Sequence, residues 1–141
     1  MEKRRMFRIL SKANAEQVAA LARPLLQKHE LALLKEPGKT LVMIQLREPV
    51  RQSLFYIGEV LAAEAIVELD GVKGMAVVMG DGLEKALHMA VIDAAVNKGV
   101  FEEEKALLEM EAAQLLQEQR ENALHLKTVV QFTSMDQEAA R

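Results

Sequence analysis

The sequence predicts an α+β fold, an antiparallel sheet of about four strands covered by helices, with an N-terminal helical hairpin and C-terminal helices. Three observations lead there. Apolar residues recur at helical spacing through the first 28 positions, give way to strand-like runs from Leu31 to Met79, and return to helical spacing after Gly80. The strand runs are joined by short turns, which pairs neighbours antiparallel rather than through crossovers. Half of the 141 residues are hydrophobic, enough to build one core, so a single domain over 1–141 is expected.

Met6, Ile9, Leu10 and Ala13 share one side of an opening helix, Lys3 to Ala13. Asn14 then caps a second helix with Gln17 three residues on, close to capping-box geometry, and Val18, Leu21, Ala22 and Leu25 continue the stripe. Pro24 lacks a backbone N–H and is expected to kink or shorten this helix. From Leu31 the runs LALLKE and TLVMIQLR flank Pro37–Gly38, a pair suited to the centre of a turn, so they are read as two strands. A further strand covers Ser53 to Leu69, with a bulge expected at Gly58. Asp70–Gly71 is a two-residue hairpin signal leading into Val72–Met79.

The corner Gly80-Asp81-Gly82 opens a helix in which Asp81 is the expected N-cap with Glu84 at N3, and Gly99 takes the left-handed position past its end. Ala86, Ala90, Val91 and Ala94 give that helix a small-residue face for close packing. Another helix starts near Phe101, with acids in its first turn and Leu108, Ala112 and Leu115 as its apolar stripe. Past Leu116 the run QEQREN has little to bury. The last element, LKTVVQFTSM, is rich in β-branched and aromatic residues, and Val129, Val130, Phe132 and Met135 must be buried on the chain's own sheet or paired with a partner's sheet edge.

Chemistry is sparse. The chain has no cysteine, which excludes disulfides, thiolate metal sites and cysteine nucleophiles, and suits a cytoplasmic protein. Its start is basic but carries no apolar run of a secretory signal, and no segment has the ~20 apolar residues of a membrane span. The net charge is −3, with the first twelve residues at +4 and residues 100–141 at −5. One Tyr, four Phe and no Trp leave little for stacking on bases, so neither nucleic acid nor membrane is an expected partner. His29, His88 and His125 form no ligand pair, and His88 follows Glu84 by four residues on one helix. No metal motif and no Ser/His/Asp constellation is present. Gly80, Asp81 and Gly82 are the candidate anion-binding residues, because a glycine corner feeding a helix N-terminus offers free N–H groups. Neither nucleotide-binding glycine fingerprint is met.

Three blocks in order resemble the PhnG family, a small subunit of the bacterial phosphonate carbon–phosphorus lyase core complex. They are Phe55-Tyr56-Ile57-Gly58-Glu59-Val60-Leu61, then Glu68-Leu69-Asp70-Gly71 running on through Gly80 to Ile92-Asp93-Ala94, and the tail Thr128 to Met135. Gln131 stands where the family tail usually has an aspartate. The resemblance implies an assembly subunit without its own active site or cofactor. It would support ATP-dependent formation of α-D-ribose 1-phosphonate 5-triphosphate, with adenine displaced by phosphonate. It implies other core subunits as partners, chiefly the large PhnI-type subunit, and a homodimer through symmetric assembly. Gly58 and Glu59 of the first block, with Phe132 and Met135 of the tail, are the candidate partner-interface residues, and 127–141 a candidate docking tail.

Overall fold

A computed structural model of the chain describes residues 1–128. Helices α1 (Lys3–Lys12) and α2 (Ala15–Lys28) come first, then strands β1 (Leu31–Arg47), β2 (Leu54–Leu69) and β3 (Val72–Met79), then helices α3 (Leu83–Lys98) and α4 (Glu104–Thr128). The sheet is antiparallel in the order β1-β2-β3. The α+β class holds, with three strands in place of about four. Pro37–Gly38 is not a turn. β1 runs straight through it as one 17-residue strand whose register against β2 shifts between Lys35 and Gly38. An edge strand with an irregular ladder needs no N–H from Pro37, so the proline is accommodated rather than terminating.

The expected bulge is present. Ile44 pairs with Gly58 and Gln45 with Tyr56, which leaves Ile57 as the extra residue of β2. The Asp70–Gly71 hairpin forms as read, with both residues at positive φ.

The other ends carry their own corrections. Asn14 makes the full capping box with Gln17, and α2 continues through Pro24 to Lys28 without being shortened. Asp81 does not cap α3. Gly82 occupies the N-cap without a side-chain bond, and the first turn is closed by backbone, with the Leu83 N–H donating to the Asp81 carbonyl at 2.9 Å. Gly99 is left-handed as expected, φ 82°. α4 starts at Glu104 rather than Phe101, and its buried residue is Leu107 rather than the expected Leu108. Leu126 to Thr128 belong to this helix, so the strand expected of LKTVVQFTSM does not begin there, and its remainder lies outside the described residues.

The core lies between the sheet and α3. Ala63, Ala65, Val67 and Leu69 of β2, with Ala76 and Val78 of β3, meet Ala86, Met89, Ala90, Val91 and Ala94 of α3. A Cβ on Gly74 would come within 2.3 Å of the Ala94 nitrogen and 2.4 Å of the Ala90 carbonyl oxygen. This glycine therefore sets the distance between strand and helix. α2 packs on α3, and α4 packs on α1.

One axis organises the molecule. α3 runs antiparallel to β3, since Asp93 reaches Met75 and Asn97 reaches Lys73. α4 runs parallel to α1, since Arg5 pairs with Glu111 and Lys12 with Glu118. At one end of the axis sit the Asp70–Gly71 turn and the α3 C-terminus. At the other sit Met79, Lys85 and the Ser11 carbonyl to which Lys85 donates at 2.7 Å. Past this second end two elements continue alone, the β1–β2 ribbon beyond Thr40 and Ala62 and the C-terminal part of α4 beyond Glu118.

Candidate functional site

The most unusual feature is apolar surface at the second end and on the uncovered face of the sheet. A strand with one buried face alternates apolar and polar residues. The first four residues of β2, Leu54-Phe55-Tyr56-Ile57, are apolar at every position, and so is Leu41-Val42-Met43-Ile44 of β1. Both faces of the ribbon are therefore apolar. Leu41, Met43 and Leu61 fall on the helix side of the ladder and stay exposed because α3 begins only at Leu83. On the opposite face Met75, Val77 and Met79 of β3 are exposed, Met79 by 74%. Single exposed apolar residues are ordinary, whereas a continuous surface of this kind marks an interaction site.

The ribbon tip is closed by hydrogen bonds. The Glu48 carboxylate accepts from the Val50 and Arg51 N–H groups at 2.6 Å each, and Arg47 donates to the Gln52 carbonyl at 2.9 Å. Gln52 takes a left-handed φ of 58° inside this loop. A hydrogen-bonded tip on a ribbon with no core of its own suits an element that is completed by packing against something else.

α4 offers a second apolar surface. Its packed side combines Leu107 and the half-buried Ala106 and Met110 with polar contacts to α1, Arg5 Nε donating to Glu111 at 2.9 Å and Gln114 donating to the Ile9 carbonyl at 3.0 Å. The Arg5–Glu111 hydrogen bond pulls the Glu111 carboxyl below its ordinary pKa range and raises the Arg5 guanidinium. Leu108, Ala112 and Leu115, the stripe read from the sequence, point to solvent instead, joined by Leu116.

The predicted site residues separate. Gly58 and Glu59 lie on the exposed ribbon, opposite Ile44 and Met43, so the structure brings them into the apolar surface. Gly80, Asp81 and Gly82 form an exposed corner at the root of the ribbon. Gly80 has φ 103°, and the α3 N-terminus behind it has no side-chain cap. Phe132 and Met135 lie outside the described residues.

Polar clusters serve the first end of the axis. Asp70 accepts from His29 Nδ1 at 2.6 Å and from the Glu30 N–H at 2.8 Å, with Lys98 Nζ at 3.6 Å. The Glu30 N–H first, then His29, holds the Asp70 carboxyl below its usual range. Sequence reading missed this pair, because the two residues are 41 positions apart and neither belongs to a motif. Asp93, 4% exposed, accepts from the Met75 N–H at 3.1 Å and faces Lys3 Nζ at 3.0 Å, tying the β3 edge to α3 and α1. Burial pushes the His88 imidazole down in pKa, partly opposed by the Glu84 carboxylate four residues back. Among the described residues no group of three His, Cys, Asp or Glu side chains is placed to hold a metal ion. No helix there is long and apolar enough to cross a membrane.

Fold and surface together define an α+β protein whose distinctive element is a large exposed apolar surface. The chain matches the family of the phosphonate metabolism protein PhnG over residues 1–137, nearly its whole length, and it belongs to that family. Membership gives it a role in phosphonate metabolism, with the other subunits of the carbon–phosphorus lyase complex. No match to the chain was found among curated proteins.

Proposed function

We propose that this chain is an assembly subunit of the carbon–phosphorus lyase core, cytoplasmic and without an active site or cofactor of its own. In this role it supports the step in which phosphonate displaces adenine at ribose C1, giving α-D-ribose 1-phosphonate 5-triphosphate. Its principal partner is the large PhnI-type subunit, and it also self-associates as a homodimer. The observation carrying this reading is the ribbon of β1 and β2, apolar on both faces and projecting beyond the helices. Such a surface stays soluble best when another protein covers it.

Co-expression with the PhnI-type subunit tests the proposal. The wild-type chain is expected to co-purify with it at fixed stoichiometry, and failure to do so sinks the reading. A second reading, a small phosphate or nucleotide site, has one observation in its favour, the α3 N-terminus left without a side-chain cap beside Gly80-Asp81-Gly82. Titrating ATP or a phosphonate while following the amide signals of residues 80–85 decides that reading, and unmoved signals end it.

A further inference from the structure

We infer that the outer edge of β3, from Met75 to Met79, takes an added strand: an extended apolar segment of a partner protein, flanked by acids and seated between that edge and α1. The inference rests on the assembly reading above for the existence of a partner, and it assigns a contact apart from the ribbon.

Backbone polarity defines which groups are free. β3 is the last strand of the sheet. The Gly80 N–H donates to the Leu61 carbonyl at 2.9 Å, so even-numbered residues of β3 turn their backbone groups toward β2 and odd-numbered ones turn theirs outward. α3 guards the first part of this outer edge. Asn97 donates to the Lys73 carbonyl at 2.9 Å, and Asp93 accepts from the Met75 N–H at 3.1 Å. Beyond Asp93 the guarding stops. Among the described residues the N–H groups of Val77 and Met79 and the carbonyls of Met75 and Val77 have no protein partner. Sheet edges are ordinarily blunted by a charge, a proline or a bulge, and Val77-Val78-Met79 carries none of these.

A groove gives that edge its shape. α1 lies alongside, and Phe7, Ser11, Met75, Ala76, Val77 and Met89 line a cavity of about 240 Å³. Polar bridges close both ends, Lys3 Nζ to Asp93 at 3.0 Å and Lys85 Nζ to the Ser11 carbonyl at 2.7 Å. Between them the edge runs about 13 Å at strand rise, the length of about four extended residues. An extended backbone pairs with these groups directly. Its alternate side chains then meet the half-buried Phe7 and buried Met89 on one side and the exposed Met75, Val77 and Met79 on the other, so both sets are apolar.

Charge selects the flanks. Arg4 and Arg8 stand three residues before Phe7 and Ser11 on α1, and both are exposed. With Lys73 and Lys85 they give the groove four bases, none of which forms an ion pair among the described residues. Arg8 reaches Glu111 only through its field. The exposed acids at the two ends are Glu2, ahead of α1, and Asp81, past Met79. The rim is therefore basic on a chain whose net charge is −3, and it attracts acids on either side of the apolar segment.

The test uses the full chain and a blocked peptide of alternating valine and threonine with two aspartates at each end. On titration the amide signals of Val77 and Met79 are expected to move together and saturate, with their hydrogen exchange slowed at least about tenfold. The same peptide N-methylated at alternate residues is expected not to bind. Val77→Pro removes only an outward N–H, so it is expected to keep the wild-type melt and lose the peptide. Arg4→Glu combined with Arg8→Glu is expected to weaken binding by about tenfold. Unmoved signals at about 1 mM peptide, equal binding of the N-methylated peptide, or undiminished binding by a folded Val77→Pro chain overturns the inference. If Val77→Pro does not fold, the N-methylated peptide decides. Protection of Val77 in the chain alone, lost on dilution or on removal of residues 129–141, also overturns it and gives the edge to a second copy or to the chain's own tail. Co-purification with the PhnI-type subunit is measured separately. Its retention when the peptide fails leaves the assembly role standing, and its failure when the peptide binds removes that partner but not the edge site.

Discussion

At the residue scale, Gly74 and Asp70 carry the sharpest consequences. Gly74 has ordinary backbone angles, so its role is space rather than conformational freedom. The atoms that a Cβ would strike belong to the α3 backbone, which cannot rotate away as a side chain would. Gly74→Ala is therefore expected to cost about 2–4 kcal/mol, at or above the upper end of overpacking penalties. Urea titration should show a lower midpoint at unchanged slope, and a variant as stable as the wild type would remove Gly74 from the packing argument. Asp70 acts through charge. Its carboxyl is held below the unfolded value by the Glu30 N–H, His29 and Lys98. Its contribution is thus fully present above the unfolded carboxylate range, near pH 4, and is lost as pH falls through the lower folded value. Thermal melts should therefore show wild-type stability falling more steeply below about pH 4 than that of Asp70→Asn. Parallel curves for the two proteins would refute the role of Asp70. Glu111 shifts in the same direction through Arg5, so its part of the acid limb persists in the variant.

At the scale of elements, α4 separates what spacing shows from what it leaves open. Its apolar residues can be arranged in two stripes, one through Leu107 and one through Leu108, Ala112 and Leu115. The second is the longer and was the natural choice for a core face. The structure buries the first, with Leu107 at 1% exposure and Leu108 at 42%. The deciding contacts are polar and distant in sequence, from Arg5 to Glu111, Lys12 to Glu118 and Gln114 to the Ile9 carbonyl, none of which a helical period can reveal. Leu107→Ala should accordingly cost about 2–4 kcal/mol, and Leu108→Ala in the isolated monomer under about 0.5 kcal/mol. Chemical denaturation of both variants checks this, and a reversed order would place the wrong stripe inward. The same logic explains β1. Pro37–Gly38 has the composition of a turn, but an edge strand absorbs both residues in a bulge, because nothing on its open side requires the missing N–H. Elements whose ends are set locally were legible, as with the Asn14 capping box, the Asp70–Gly71 hairpin and the left-handed Gly99. At Asp81 local chemistry was satisfied by backbone instead, and the side chain had no cap to make.

For the whole molecule, the sequence already contained the signal for the surface that matters, in the unbroken apolar runs Leu41–Ile44 and Leu54–Ile57. What it could not show is that these runs lie past the end of α3. Length alone does not distinguish a strand buried on both faces from one bare on both. The structure resolves this through register, with Thr40 opposite Ala62 and Leu41 opposite Leu61 at the point where the helix layer stops. Every member of the buried core lies before Leu41 or after Leu61. The body should then be separable from its arm. Replacing residues 41–61 by Asn-Gly joins Thr40 to Ala62 through a two-residue hairpin turn whose twist suits the flanking strands. The shortened chain is expected to keep its helical circular dichroism and a cooperative melt, because it loses no core side chain. It is expected at the same time to lose self-association and co-purification with the PhnI-type subunit. A shortened chain that still assembles would move the interface elsewhere, to the Gly80 corner or to α4 alone. One that fails to fold would show that the ribbon belongs to the body after all, and that its apolar faces support the fold rather than a partner.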